Sequence, residues 1–172
     1  ITATVEKCER MTGNNIDKMI VGISGVHIKT LNSKGVIAVA KANSQVEESD
    51  IERALETAQA IATPPNYEIL HVLPTNYHLD DQRNLKDPVG MSGVRLEVET
   101  QIIMGLSAQI KNLTKCIYRT GIDIEDLVFS ILATSEAVLT NKQKELGVAV
   151  LNIGNSTTSL AVFENGDVLH TA

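Results

Sequence analysis

Between residues 94 and 102 the chain alternates with almost no error. Val94, Leu96, Val98, Thr100 and Ile102 interleave with Arg95, Glu97, Glu99 and Gln101. Successive side chains of a strand point to opposite faces, so this stretch predicts a half-buried strand of an antiparallel sheet, apolar on one face and wet on the other. A sheet with one apolar face needs a cover. The segment from Glu47 to Thr63 offers one, because Ile51, Ala54, Leu55, Ala58, Ile61 and Ala62 recur at helical spacing while Glu48, Glu52, Glu56 and Gln59 lie off that stripe. Pro64-Pro65 ends the helix. Leu106, Ile110, Leu113 and Ile117 mark a second amphipathic helix, stopped at Gly121.

The rest of the chain fits around these elements. Residues 1–13 carry Val5, Cys8 and Met11 at helical spacing before Gly13, and Met19 to Ile23 reads as a short buried strand. His27–Leu31 and Gly35–Ala40 flank Asn32-Ser33-Lys34, which predicts a hairpin with that tripeptide at its tip. Glu68–Leu73 and Tyr77–Leu79 read as an extended arm broken at Pro74, followed by a polar loop from Asp80 to Gly93. Up to Gly121 the order is strand, helix, strand, strand, helix, an α+β layer with helices on one face of a small antiparallel sheet. Beyond it the texture is α/β. Leu127–Ile131 and Val148–Ile153 are apolar runs of the kind covered on both faces, joined by a short helix around Ser135–Thr140. Thr157–Phe163 and Asp167–His170 then flank Glu164-Asn165-Gly166, a hairpin signal through Asn-Gly.

Composition narrows the function classes. The net charge of −6 argues against a nucleic-acid footprint, which needs clustered Lys and Arg. Cys8 and Cys116 match no metal spacing and are expected to be buried free thiols in a reducing cytoplasm. His27, His78 and His170 lack metal-like neighbours along the chain, and His71 in an apolar strand reads as a core or edge histidine, so no metal site is expected. Asp80-Asp81 and Glu47-Glu48 read as loop and helix-start charges, not as a catalytic pair. No apolar run approaches the ~20 residues that span a bilayer. The chain opens inside a helix and stops just after a strand, so it is expected to be a piece of a longer protein.

Several stretches carry a family resemblance. Asn-Ile-Gly-Asn-Ser-Thr-Thr-Ser from Asn152 resembles the second phosphate loop of actin-like, Hsp70 and sugar-kinase ATPases, D-[IL]-G-G-G-T-T-D. The stretch Val21-Gly22-Ile23-Ser24-Gly25-Val26-His27-Ile28 resembles VGISGSHI. Pro64-Pro65 with Glu68 to Pro74, Lys86-Asp87-Pro88-Val89-Gly90-Met91-Ser92-Gly93-Val94-Arg95-Leu96-Glu97-Val98-Glu99, Asn112-Leu113, Lys115-Cys116 and Lys144 to Val148 continue the match in one order. Together these resemble the FtsA family of bacterial cell-division proteins, actin-like ATPases carrying an SHS2 insert.

The resemblance implies a layout. Residues 1–24 would close the actin-like, ribonuclease H-like subdomain 1A. Residues 25–121 would form the SHS2-like subdomain 1C. Residues 122–150 would return to 1A, and 151–172 would open the second ATPase lobe. Family members bind ATP and Mg²⁺ between lobes, self-associate, hold FtsZ, recruit late divisome proteins, and sit peripherally on the cytoplasmic face of the membrane at midcell. The FtsZ-binding subdomain, the first phosphate loop and the membrane helix match nothing here. This chain by itself is therefore expected to be a cytoplasmic protein-interaction module, without cofactor, enzymatic activity or direct membrane contact. Two alternatives remain open, an ATP-hydrolysing ATPase and a related pilus-assembly scaffold.

Site expectations follow from the same comparison. Asn152, Gly154, Asn155, Ser156, Thr157 and Thr158 would line a phosphate in the parent protein. Asn152 stands where the family pattern has its leading Asp, Asn155 and Ser156 replace two glycines, and Ser159 replaces the closing Asp. That predicts nucleotide binding with little hydrolysis in the parent, and a plain hairpin here. Asn32, Ser33, Lys34 and Gly35, with Asp87, Pro88, Val89, Gly90 and Met91, are expected to be exposed contact residues, since connections on a rigid scaffold often carry contacts.

Overall fold

In a computed structural model of the protein, residues 1–39 and 45–172 are described, with the backbone alone for Ile61 and Ala62. Helix α1 (Thr2–Thr12) ends at Gly13, whose φ of 73° is the left-handed cap its sequence suggested. Strand β1 (Lys18–Ile23) leads into β2 (Ile28–Ala38) and then α2 (Glu48–Ala62). Strands β3 (Tyr67–Leu79), β4 (Gln82–Leu85) and β5 (Arg95–Leu106) follow, then α3 (Ser107–Tyr118). The last third is β6 (Asp123–Phe129), α4 (Ser130–Val138), α5 (Asn141–Leu146), β7 (Val148–Ile153), β8 (Thr158–Glu164) and β9 (Asp167–Thr171).

Three sheets result. The largest has the order β2-β5-β3-β4 and is antiparallel throughout; β1 pairs in parallel with β6; β7, β8 and β9 form a meander. On one face of the large sheet, Ala54, Val46, Tyr77, Leu79, Leu96 and Val98 form a core that includes α2. Burying a side chain such as Leu96 fully is worth about 1.5–3 kcal/mol. A second core joins Ile103 of β5 to Phe129, Ile131, Val150, Ala161 and Phe163.

The α2 start is locally encoded. The Glu47 N–H donates to Asp50 Oδ2 at 3.0 Å, half of a capping box, and Glu48 and Asp50 sit where the helix dipole favours anions. The β8–β9 turn is equally local. Asn165 and Gly166 both have positive φ, 53° and 87°, as a two-residue turn of right-handed strands requires.

Several expectations are corrected. The predicted hairpin with its tip at Asn32-Ser33-Lys34 is instead the middle of one continuous strand, β2; Ala40, the end of its second arm, lies outside the described residues. Those polar residues pair with Gln101, Thr100 and Glu99 of β5, so the ladder satisfies them without a turn. Gly35 marks close packing, since a Cβ there would stand 1.9 Å from the Ala54 carbonyl oxygen of α2. Pro74 does not break β3; it falls at a register shift, where a missing N–H is tolerated. The loop Asp80 to Gly93 contains β4.

In β5, Leu96, Val98, Thr100 and Ile102 are buried as expected, but Gln101 is only 2% exposed, and Val94, expected to begin the strand, lies just before it and is 62% exposed. The second face of β5 is wet only around Glu97 and Glu99; beyond Thr100 it lies under the β8–β9 hairpin and the second core. The helix expected around Ser135–Thr140 is replaced by α4 and α5, and Ile131 belongs to α4. Strand β7 is not covered on both faces, since Leu151 and Ile153 are exposed, whereas in the first run Leu127 and Val128 are half-buried and Phe129 and Ile131 are buried. Cys8 and Cys116, expected inside, are both exposed.

Candidate functional site

The phosphate-loop hairpin is built by the β7–β8 pair. Asn152 faces Ser159 and Ile153 faces Thr158 across the ladder, leaving residues 154–157 to turn the chain. The Gly154 N–H donates to the Thr157 carbonyl at 2.9 Å. A Cβ on Gly154 would lie 2.9 Å from that same oxygen, so the turn needs glycine. Asn152, Gly154, Asn155, Ser156 and Thr158 are exposed and Thr157 is half-buried. Beside them a cavity of about 170 Å³ is lined by Thr157, Thr158, Ser159, Gly25 and Val26. It has the size of a phosphate and falls short of the ~300 Å³ at which small-molecule sites begin. The loop offers amides and hydroxyls to such an anion. It offers no carboxylate to Mg²⁺, because residues 152 and 159 are Asn and Ser.

The Asp87–Met91 connection is held more firmly than a free loop. Asp87 Oδ1 accepts from the Val89 N–H at 3.0 Å, and the Met91 N–H donates to the Pro88 carbonyl at 3.1 Å. Gly90 takes φ 82°; its N–H donates to the Val46 carbonyl, and the Val46 N–H donates to the Met91 carbonyl, both at 2.9 Å. Pro88 is buried and Met91 packs against the α2 core, so of the expected contact residues here only Asp87, Val89 and Gly90 are exposed. On β2, Asn32 and Lys34 are exposed, Ser33 is half-buried with its hydroxyl donating to the Ala58 carbonyl at 2.8 Å, and Gly35 is buried.

The wet face of the large sheet carries a charge cluster. Lys34 Nζ lies 2.5 Å from Glu99 and 3.4 Å from Glu97; Arg95 reaches Glu97 at 3.0 Å, and His78 Nε2 is 3.6 Å from Glu99. The Glu99 hydrogen bond chiefly holds the Lys34 ammonium above its usual range, and Lys34 holds Glu99 below the usual carboxylate range. One ligand atom each from His78, Glu97 and Glu99 lies within 4.8 Å of the others, a metal-type grouping that spacing along the chain did not reveal. It arises from register, because His78 pairs with Glu97 and Asn76 with Glu99. The Lys34 ammonium already occupies its carboxylates. His71, placed in β3 as expected, accepts the Phe129 N–H at Nε2 over 2.8 Å, and burial holds it below its ordinary value. Asp80 is structural: its carboxylate accepts the N–H groups of Val94 and Arg95.

The fold defines a class: an α+β protein in which a four-stranded antiparallel sheet of the SHS2 type adjoins an α/β part that ends in a β-meander. Residues 25–104 match the SHS2 domain inserted in FTSA. The chain is 39% identical over all 172 residues to the cell division protein FtsA of Pseudomonas aeruginosa, and 41% identical to that of Neisseria meningitidis serogroup B. FtsA of Bacillus subtilis is 37% identical over 171 residues. The chain belongs to the FtsA family of cell division proteins, and it spans about two-fifths of these relatives' length (41%, 41% and 39%). A solved PilM-PilN type IV pilus biogenesis complex superposes with a TM-score of 0.64 over 99% of this chain and 47% of the other, at 12% identity, a likeness of fold alone. No helix among the described residues is long and apolar enough to cross a membrane.

Proposed function

We propose that this chain is the interaction-bearing part of a division protein that ties the FtsZ ring to the membrane and recruits later divisome proteins, and that it acts by protein contact, not catalysis. The observation that carries this reading is β2. It is an eleven-residue edge strand, paired on one side only among the described residues, in the part of the chain that matches the FtsA insert. An open edge of that length is a template for another chain. Leu31 and Val36 on it are about two-fifths exposed, as is Val89 in the neighbouring loop. Self-association and late divisome partners are assigned to these two places. FtsZ and membrane contacts are assigned to parts of the relatives that this chain does not span. Within this chain the proposed layout is 1–24 and 122–150 as subdomain 1A, 25–121 as 1C, and 151–172 as the start of the second lobe.

For a protein of the relatives' full length we propose ATP and Mg²⁺ binding with weak hydrolysis, the hairpin supplying hydroxyls and amides and another segment the carboxylate. The pilus-scaffold reading has less support, since identity there is 12% against 37–41% to FtsA.

Pull-down of this chain by a full-length FtsA tests the main reading. Leu31→Glu and Val89→Glu should each abolish capture, because an unpaired charge at an interface disfavours association, with melting changed by no more than about 0.5 kcal/mol of stability. Met91→Glu is unsuitable, since it would also break the α2 core. Wild-type capture by both folded variants would place the contact elsewhere.

A further inference from the structure

The outer edge of β2 is open over a bounded stretch. The His27 carbonyl accepts from the Leu106 N–H at 3.2 Å, the Val39 N–H donates to the Val94 carbonyl at 2.8 Å, and the β2–β5 register between them runs without a shift. Successive residues of a strand turn their backbone groups to opposite sides, so the odd-numbered residues of β2 bond to β5 and the even-numbered ones face outward. Both ends of the outward row are engaged. The Ile28 N–H donates to the Gly25 carbonyl at 3.1 Å, and the Ala38 carbonyl accepts from Arg53 Nη2 at 3.4 Å. Thr30, Asn32, Lys34 and Val36 lie between, a row symmetric about Ser33.

This edge lacks the protections that sheet edges usually carry. It has no proline and no bulge, whereas the opposite edge, β4, is only four residues long. Lys34, the residue type that commonly guards an edge, is drawn back across β5 to Glu97 and Glu99. The contacts of α2 on β2 run from Ser33, whose hydroxyl donates to the Ala58 carbonyl, through Gly35 under Ala54, to Ala38 beside Arg53. Leu31 shares a face with Ser33 and Gly35 but lies beyond that stretch, and it is 40% exposed.

We propose that a second copy of this chain covers the edge: two β2 strands pair antiparallel about a two-fold axis at Ser33, joining the two four-stranded sheets into one. The inference rests on the reading of β2 as a self-association edge and gives that edge a symmetry and a register. Among two-fold pairings, only this register uses the whole open row. Thr30 faces Val36 of the second copy and Asn32 faces its Lys34, each pair exchanging two backbone hydrogen bonds. Leu31 falls opposite Gly35 of the second copy, beside the α2 that packs on that glycine, so the uncovered leucine gains a cover. Moving the axis to Lys34 would set that residue against its own copy, with like charges directly opposite. Moving it to Asn32 would set Val36 against Ile28, whose N–H is already taken.

Disulfide trapping tests the register, with the exposed Cys8 and Cys116 first replaced by serine. At the axis the two Ser33 Cα atoms would stand about 4.5 Å apart, within the ~4.4–6.8 Å that a disulfide spans. Asn32 and Lys34 would each lie more than about 7 Å from their own copies. Under mild oxidation Ser33→Cys should therefore form dimers at least about tenfold faster than Asn32→Cys or Lys34→Cys alone, while a mixture of those two should cross-link to each other. Sedimentation of the unmodified chain should show a monomer–dimer equilibrium with a midpoint between about 10 µM and 1 mM, since paired edges bury little area. Asn32→Pro removes an outward N–H, leaves the β5 ladder its donors, and should abolish the dimer. Should it fail to fold, the cross-linking pattern decides. Equal trapping at all three positions, or a monomer at millimolar concentration, overturns the proposal. If Leu31→Glu abolishes capture by full-length FtsA while Ser33→Cys does not cross-link, the edge holds a different partner and only the two-fold pairing fails. Cross-linking at Ser33 with capture indifferent to Leu31→Glu upholds the pairing and overturns the capture reading.

Discussion

His71 of β3 and Phe129 of β6 are joined by a 2.8 Å hydrogen bond in which the backbone N–H of Phe129 donates to the imidazole Nε2. It ties the large insert sheet to the β1–β6 pair across 58 residues of chain. The bond requires a neutral ring with a lone pair at Nε2.

Its pH dependence follows in sign. Burial lowers the folded-state value of His71 below its ordinary 6.5, and the opposing pull of Asp126 does not restore it. The unfolded chain therefore binds more protons in that window, and stability rises with pH. The contribution is fully present above about 6.5 and is lost as pH falls through the folded-state value. Melting followed from pH 7.5 to pH 5 should show a decline that His71→Gln flattens. An unchanged slope in the variant would remove His71 as its cause.

The register of β5 is tested by a pair of substitutions. Val98 is fully buried in the α2 core, whereas Glu97, on the wet face, is bonded to Lys34 and Arg95. Val98→Asp should cost about 4 kcal/mol or more and unfold the insert, because it buries a charge without a partner. Glu97→Ala should cost less than about 1 kcal/mol, the range of exposed ion pairs. Equal melting temperatures would contradict the register.

Gly35 and Gly166 separate two reasons for glycine. At Gly35 a Cβ would strike the backbone of α2, 1.9 Å from the Ala54 oxygen. At Gly166 nothing lies within 4 Å, and only the φ of 87° resists a side chain. Gly35→Ala should cost about 3 kcal/mol by overpacking, and Gly166→Ala about 1–2 kcal/mol by left-handed strain. Denaturant midpoints at constant slope measure both, and a milder effect at Gly35 would mean that α2 can move away.

Nucleotide binding is testable in two forms. With a 170 Å³ cavity and no carboxylate in the loop, this chain should show no micromolar ATP isotherm, and a clear one would refute that. In a protein of full family length, Asn152→Asp should raise a low turnover by restoring charge near Mg²⁺. Vigorous wild-type hydrolysis indifferent to the substitution would exclude that role for Asn152.

What could be read from the residues was what repeats locally. The α2 stripe, the apolar face of β5 from Leu96 to Ile102, the Gly13 cap and the Asn165-Gly166 turn all emerge from spacing, because helix, strand and turn geometry act over a few residues. The family motifs were legible for the same reason, being contiguous.

Tertiary structure decided the rest. Asn32, Ser33 and Lys34 form a strand because partners nearly seventy positions later pair with them; Gly35 serves packing against a helix, not a turn. Gln101 and Glu99 stand two apart on one face of β5, yet one is sealed beneath the β8–β9 hairpin and the other is partly wet. His78, Glu97 and Glu99 meet only through cross-strand register, and Met91 is held by Val46 from a different segment. A periodic pattern reports which face of an element is apolar. What covers the other face, and which distant group satisfies a polar side chain, is settled only when the sheets and helices pack.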